Sequence, residues 1–77
     1  MLPRRADYPR HMRIRLEGLI DMACPDCYWK RRFSYFWTEY GIDSAWARWK
    51  SEAPIVNEFA IPLIESAIEE LRTWQLR

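Results

Sequence analysis

Proline and glycine residues divide this 77-residue chain into short intervals, and their spacing limits the fold more than any other feature of the sequence. Proline is accepted in the first turn of a helix but breaks a helix interior. Pro9, Pro25, Gly41 and Pro54 enclose intervals of 15, 15 and 12 residues. These lengths fit helices of three to four turns. A chain of this size forms one domain at most, so we treat residues 1–77 as a single domain.

Apolar residues recur within the first two intervals at helical spacing. From Met12 they occupy positions 16, 19, 20 and 23, which share one face of a helix. The alternation over residues 11–16 also fits a strand, but no second strand is predicted to pair with it. In the second interval the rings spaced by four, three and four residues are predicted to form the core side of a helix. These rings are Trp29, Phe33, Phe36 and Tyr40.

Local signals predict where these helices begin and end. Pro25 disfavours helical geometry at the residue before it, so the first helix should end near Cys24. Asp26 is placed to cap the second helix, and Gly41 to close it in a left-handed conformation. Asp43 or Ser44 is expected to cap a short third helix that ends near residue 52.

The last segment carries a continuous apolar stripe that is interrupted by Pro62. The stripe consists of Ala60, Leu63, Ile64, Ala67, Leu71 and Trp74. Because proline kinks or breaks a helix interior, we expect either a helix over 55–60 followed by a longer one, or a single kinked helix. The sequence therefore predicts an all-α fold, a compact bundle of four to five short helices with an aromatic-rich core. Residues 1–8 are expected to form an irregular basic N-terminal arm.

Charge is distributed unevenly along the chain. Residues 1–32 hold eight Lys or Arg against four Asp or Glu, a net +4, whereas residues 33–77 hold four against seven, a net −3. Either the helices pack in a complementary way or a basic face is kept for an anionic partner. No apolar run is long enough for a signal peptide or a membrane span, so a cytoplasmic protein with no membrane partner is expected.

The pair Cys24-x-x-Cys27 fits neither a metal clip nor a redox site well. Structural zinc takes four ligands, and His11 is the only histidine. A thioredoxin-like pair would follow a strand, and none is predicted. We expect two thiols that line a tight turn, with no metal and no cofactor, although a metal shared across a dimer stays open. One histidine and no glycine-rich loop also indicate a protein that is not an enzyme.

Three cations occupy the start of the second helix, where the helix dipole favours anions. Such a local conflict tends to mark a functional site. The alternative is pairing with the acids of the last helix, Glu65, Glu69 and Glu70. Tyr28 and Tyr35 share a face with two of these cations, a composition typical of interface hot spots and of base-stacking surfaces. The predicted partner-binding residues, including two from the first helix, are Arg10, Arg13, Tyr28, Lys30, Arg31, Arg32 and Tyr35.

These features predict a small non-enzymatic regulator or inhibitor that binds a larger protein. Small, aromatic-rich chains are typical of phage- and plasmid-borne proteins that act on a host complex, such as a defence or nucleic-acid-processing machine, by occlusion or allosteric docking. The alternative is a DNA- or RNA-binding accessory protein that uses the basic N-terminal half, although the pI of about 7.8 is low for that role. A homodimer also stays open.

Overall fold

A computed structural model describes residues 3–75 and confirms the all-α prediction. A short 3-10 helix precedes four α-helices, and these residues contain no β-strand, so the alternative strand over 11–16 is wrong. The bounds are Arg5–Asp7 for the 3-10 helix, Arg10–Ala23 for α1, Cys27–Tyr40 for α2, Ile42–Glu52 for α3 and Ala60–Gln75 for α4. None of the helices in this part of the chain has both the length and the apolar composition needed to cross a bilayer.

The junctions on either side of α2 follow from local chemistry. The carboxylate of Asp26 accepts the backbone N–H of Tyr28 at 2.8 Å, as predicted for an N-cap. Gly41 has φ 88° and ψ 166°, a positive-φ conformation that is extended rather than left-handed helical. Gly41 ends α2 and is also the N-cap of α3, so the prediction that Asp43 or Ser44 caps α3 is wrong. A one-residue junction leaves no room for a separate capping residue.

The start of α4 differs from both expectations. The helix begins at Ala60, so Pro62 lies in the first turn, where a backbone N–H has no acceptor within the helix. Residues 55–60 form no separate helix, and Pro62 interrupts no intrahelical hydrogen bond. The connection instead lies against the end of α1, because the carbonyl of Ala23 accepts the N–H groups of Val56 at 2.9 Å and of Asn57 at 3.2 Å.

The core is built around the rings of α2 and α3. Phe33, Trp37 and Trp49 are fully buried, and the ring centroid of Phe33 lies 5.9 Å from that of Trp37 and 6.0 Å from that of Trp49. Of the predicted α2 stripe, Phe33 and Phe36 are buried and Trp29 is partly buried, but Tyr40 is 44% exposed. Trp37, outside that stripe, takes the central place because α2 packs against α1 and the 3-10 helix as well as against α3.

The predicted apolar stripe of α4 is confirmed, except that Ile68 is buried in place of Leu63. Ala60, Ile64, Ala67 and Leu71 are buried and Trp74 is partly buried. Leu63 is 49% exposed, whereas Ile68, which the predicted stripe left out, is only 1% exposed. The buried face of α4 is therefore turned slightly away from Leu63.

Residues 3–8 are more ordered than the irregular arm predicted over residues 1–8, of which Met1 and Leu2 lie outside the described residues. The ring of Tyr8 is buried, with its centroid 5.6 Å from Trp37 and 5.2 Å from Trp74. Arg5 donates two hydrogen bonds to the Glu17 carboxylate, from Nε and Nη2, each at 2.8 Å. Burial alone would raise the pKa of Glu17, but hydrogen bonds from Arg5 and from the Ser34 hydroxyl outweigh it and lower that pKa. These contacts hold the segment against α1 and α2.

Candidate partner-binding face

The outer side of α2 carries polar and aromatic residues that the core does not use. Tyr28 is 55% and Tyr35 49% exposed, and Arg31 is exposed between them. Helical spacing explains this division, because residues 28, 31, 32 and 35 lie opposite the buried positions 33 and 37. The structure therefore brings four of the predicted site residues onto one surface.

Arg32 is held flat against aromatic rings rather than paired with an acid. Its guanidinium carbon lies 4.6 Å from the ring centroid of Phe36 and 5.5 Å from that of Tyr35. Its Nε is buried and has no hydrogen-bond partner within residues 3–75. A guanidinium stacked in this way keeps a fixed orientation while its remaining N–H groups can bind a carboxylate or phosphate.

A second stacked guanidinium comes from α3. The guanidinium carbon of Arg48 lies 4.1 Å from the ring centroid of Tyr40. Tyr40 in turn contacts Tyr35 edge-on, at a centroid distance of 6.4 Å, and Phe36 at 6.3 Å. These contacts join the two arginines through a continuous set of rings. We call this surface the Tyr/Arg face, and it comprises Tyr28, Arg31, Arg32, Tyr35, Tyr40 and Arg48.

The acids of α4 do not neutralise the cations of α2, so that alternative explanation is wrong. Glu65 lies 3.8 Å from the ammonium of Lys50, Glu69 pairs with Arg72 at 2.7 Å, and Glu70 pairs with Arg15. No ion pair in the described part of the chain includes Lys30, Arg31, Arg32 or Arg48. The cations of the Tyr/Arg face therefore lack a carboxylate partner among residues 3–75.

Three predicted site residues lie away from this face. Lys30 lies one turn before Ser34, whose hydroxyl donates a hydrogen bond to the Glu17 carboxylate. The positive charge of Lys30 also helps to lower the pKa of Glu17. Arg10 and Arg13 lie two turns and one turn before Glu17 on the same side of α1. Nothing in residues 3–75 joins these three to the Tyr/Arg face, so their role in partner binding stays a prediction.

The sequence interpretation missed Tyr40 and Arg48. Tyr40 was assigned to the core because it continues the ring spacing of α2, and Arg48 belongs to the acidic half of the chain. Its position beside α2 depends on how α3 folds back after Gly41. The only signal in the sequence was that glycine, which allows an abrupt change of direction.

The cysteine pair forms no site that the structure can identify. Cys24 is buried and Cys27 is exposed, and both are free thiols. Burial raises the pKa of the Cys24 thiol, and the charges of Asp26 and Asp21 raise it further. Across residues 3–75 no cluster of three or more His, Cys, Asp or Glu side chains is arranged to hold a metal ion.

An open groove of about 630 Å³ runs between the first half of α1 and the second half of α4. Its lining includes His11, Met12 and Trp74, together with two carboxylates, Glu69 and Glu70, that are already paired with arginines. The arginines of the Tyr/Arg face, by contrast, belong to no ion pair among residues 3–75. A comparison of the chain with protein-family models, curated proteins and solved structures found no match.

Proposed function

We propose that this protein is a small regulator or inhibitor that binds an acidic surface of a larger protein through the Tyr/Arg face. It acts by occluding that surface or by docking allosterically, without catalysing a reaction itself. The observation that carries the proposal is the pair of guanidiniums, Arg32 and Arg48, stacked on connected rings and without a carboxylate partner among residues 3–75.

The chemistry of this face supports an acidic partner. A guanidinium recognises a carboxylate through two parallel hydrogen bonds, and this pairing gives both orientation and affinity. Stacking orders the arginine side chains before binding, so less side-chain entropy is lost when the complex forms. Half-exposed tyrosines add apolar area next to the charges, which is the composition of interface hot spots.

The proposed partner is a cytoplasmic protein or complex of a host cell. Small size and a high aromatic content are typical of phage- and plasmid-borne regulators, whose targets include defence and nucleic-acid-processing machines. The proposal for the partner class depends on that general character and on the charge of the Tyr/Arg face, not on a motif.

Affinity purification with mass spectrometry tests this proposal. Wild-type protein and an Arg32→Ala/Arg48→Ala variant are used as baits. An Arg15→Ala/Arg72→Ala variant is the matched control, because it loses the same charge at two exposed arginines outside the predicted site. We expect the specific partner to be lost with the first variant and kept with the second. Circular dichroism checks that all baits are folded. A partner set that is unchanged by the Arg32→Ala/Arg48→Ala variant contradicts the proposal.

Nucleic-acid binding is the second candidate, because Arg10 and Arg13 also lack a carboxylate partner in the described part of the chain and belong to the basic half. Phosphate contacts by several arginines weaken by orders of magnitude between about 50 and about 200 mM salt. Affinity for generic duplex and single-stranded DNA and RNA is measured over this range. Absence of binding at the lowest salt contradicts this candidate, and loss of binding in the Arg10→Ala/Arg13→Ala variant supports it.

A further inference from the structure

A group of exposed apolar side chains lies at the end of the bundle where α1 ends and α4 begins. Met22 is 49%, Val56 71%, Phe59 88% and Leu63 49% exposed. None of them belongs to the Tyr/Arg face. We call this group the apolar end patch.

The backbone brings these four residues together. Hydrogen bonds from the N–H groups of Val56 and Asn57 to the carbonyl of Ala23 hold the connection beside Met22. The α1 and α4 helices run antiparallel, and an ion pair joins Arg15 to Glu70. Met22 lies seven residues after that arginine and Leu63 seven residues before that glutamate, so both occupy the same level of the two neighbouring helices.

Phe59 is displayed on an ordered turn rather than on a loose loop. The side-chain oxygen of Asn57 accepts the Phe59 N–H at 3.1 Å, and the Asn57 carbonyl accepts the Ala60 N–H at 3.2 Å. The carbonyl of Glu58 accepts the N–H of Ile61 at 3.1 Å. These hydrogen bonds order the backbone that carries the ring. An exposed ring on an ordered backbone loses little backbone entropy on binding and can act as an anchor.

The area of the patch fits a small symmetric interface. Four side chains at these exposures present on the order of 500 Å², at the upper end of the apolar patches found on monomers. This is about a tenth of the 5074 Å² surface of the described chain. Two such patches with their rims reach the low end of the ~1,200–2,000 Å² total buried in stable complexes. A single core of this size gives marginal stability, and self-association is a common remedy.

We propose that the apolar end patch binds a second copy of this chain in a twofold contact with Phe59 near its centre. In a twofold contact the same patch is used by both copies. Asp21 and Glu58 adjoin Met22 and Phe59 in the sequence, and neither belongs to an ion pair within residues 3–75. A twofold contact therefore brings four carboxylates, Asp21 and Glu58 from each copy, to its rim.

The salt dependence of this dimer follows from that rim. Added salt screens the repulsion among the carboxylates and favours apolar burial, so the dimer strengthens as salt rises. Association through the arginines of the Tyr/Arg face has the opposite dependence, because salt weakens their attraction to acids. The sign of the salt effect distinguishes the two surfaces.

Sedimentation velocity tests the proposal from about 1 to about 500 µM protein, at about 50 and about 500 mM salt, because mass action shifts the equilibrium over such ranges. A reductant and a Cys27→Ser background exclude a disulfide between the exposed thiols. We expect a concentration-dependent rise from the 9.4 kDa monomer toward twice that mass, at lower concentration in high salt. Phe59→Ser should weaken the dimer by about tenfold or more, as for an anchor residue.

Ile14→Ser is the matched control, because Ile14 is 57% exposed on α1, two turns before Met22, and should leave the dimer unchanged. The Phe59 ring is 88% exposed, so Phe59→Ser should fold normally, and thermal unfolding checks this. A monomer under all conditions overturns the proposal. The proposal is also overturned if Phe59→Ser leaves the dimer affinity unchanged, or if the dimer weakens as salt rises. None of these results depends on whether the Tyr/Arg face binds a protein.

Discussion

The attachment of the N-terminal segment to the bundle gives the sharpest test of the structure. Glu17 accepts two hydrogen bonds from Arg5 and one from Ser34, and its side chain is only 11% exposed. The substitution Glu17→Gln keeps the shape of the side chain but removes its charge. The guanidinium of Arg5, whose side chain is 30% exposed, then loses its anion while it remains near the protein surface.

The expected loss of stability lies between two limits. An exposed ion pair contributes about 0–1 kcal/mol, whereas leaving a fully buried charge without its partner costs about 3–5 kcal/mol. The pair is partly buried, and Arg5 can still reach water, so we expect Glu17→Gln to cost about 2 kcal/mol. For a domain of this length that lowers the melting temperature by roughly 10 °C.

The dependence on pH follows from the lowered pKa of Glu17. Because its pKa is lower in the folded state than in the unfolded state, this carboxylate stabilises the fold at pH values above its ordinary pKa of 4.5. The stabilisation is lost as the pH falls below that value and through the lowered pKa. The difference in unfolding free energy between wild type and Glu17→Gln should therefore be largest near neutral pH and shrink in acid.

Urea unfolding at neutral pH and at about pH 3 measures both effects, since the linear dependence on denaturant yields the free energy. Glu70→Gln is the matched control, because the same substitution there breaks the Arg15 pair, whose side chains are about half exposed. We expect that control to cost under about 1 kcal/mol. If Glu17→Gln costs no more than the control, or costs the same at both pH values, the ion pair does not hold the N-terminal segment.

The remaining predictions concern the backbone and the thiols. Gly18→Ala should stabilise the protein by up to about 1 kcal/mol, because alanine favours the helix and the new methyl group meets nothing within 4 Å apart from the adjacent residues and backbone of its own helix. Gly41→Ala should cost about 1–3 kcal/mol at φ 88°. Urea unfolding of both variants compares their free energies of unfolding. Pro62→Ala should change the same free energy by under about 1 kcal/mol, far less than the ~3 kcal/mol of a proline inside a helix, and a large gain would contradict its first-turn position. Cys27 should react with a thiol reagent at once, while Cys24 should react only as fast as the protein unfolds, and equal rates in the native protein would contradict the burial of Cys24.

Features that depend on neighbouring residues in the sequence were predicted well. The cap at Asp26, the end of α2 at Gly41 and the range of α2 each follow from the chemistry of one or two residues, although Gly41 is extended rather than left-handed. The prediction failed for the α3 cap, which Gly41 provides, and where packing between distant segments decides the outcome. Trp37 is buried and Tyr40 exposed because several elements cover α2 from different sides, and spacing along one helix does not contain that information.

The same distinction applies to the Tyr/Arg face. Tyr28, Arg31, Arg32 and Tyr35 could be placed together because they share one side of a single helix. Arg48 could not, because its contact with the Tyr40 ring joins two helices across a glycine junction. The sequence therefore predicted the part of the face that one helix builds and missed the part that needs the tertiary fold.

The division of α2 into two sides also makes the functional tests informative. Its inner side, with Phe33 and Trp37, supports the core. On the other side Arg32 is half-buried and Tyr35 is exposed, and Arg48 is exposed on α3. Removing the exposed Arg48 guanidinium costs about 0.5–1 kcal/mol, and removing the half-buried Arg32 guanidinium costs about 2 kcal/mol. Substitutions on the face should thus leave the bundle folded while removing the groups that recognise an acid, so a lost partner would report on binding and not on unfolding.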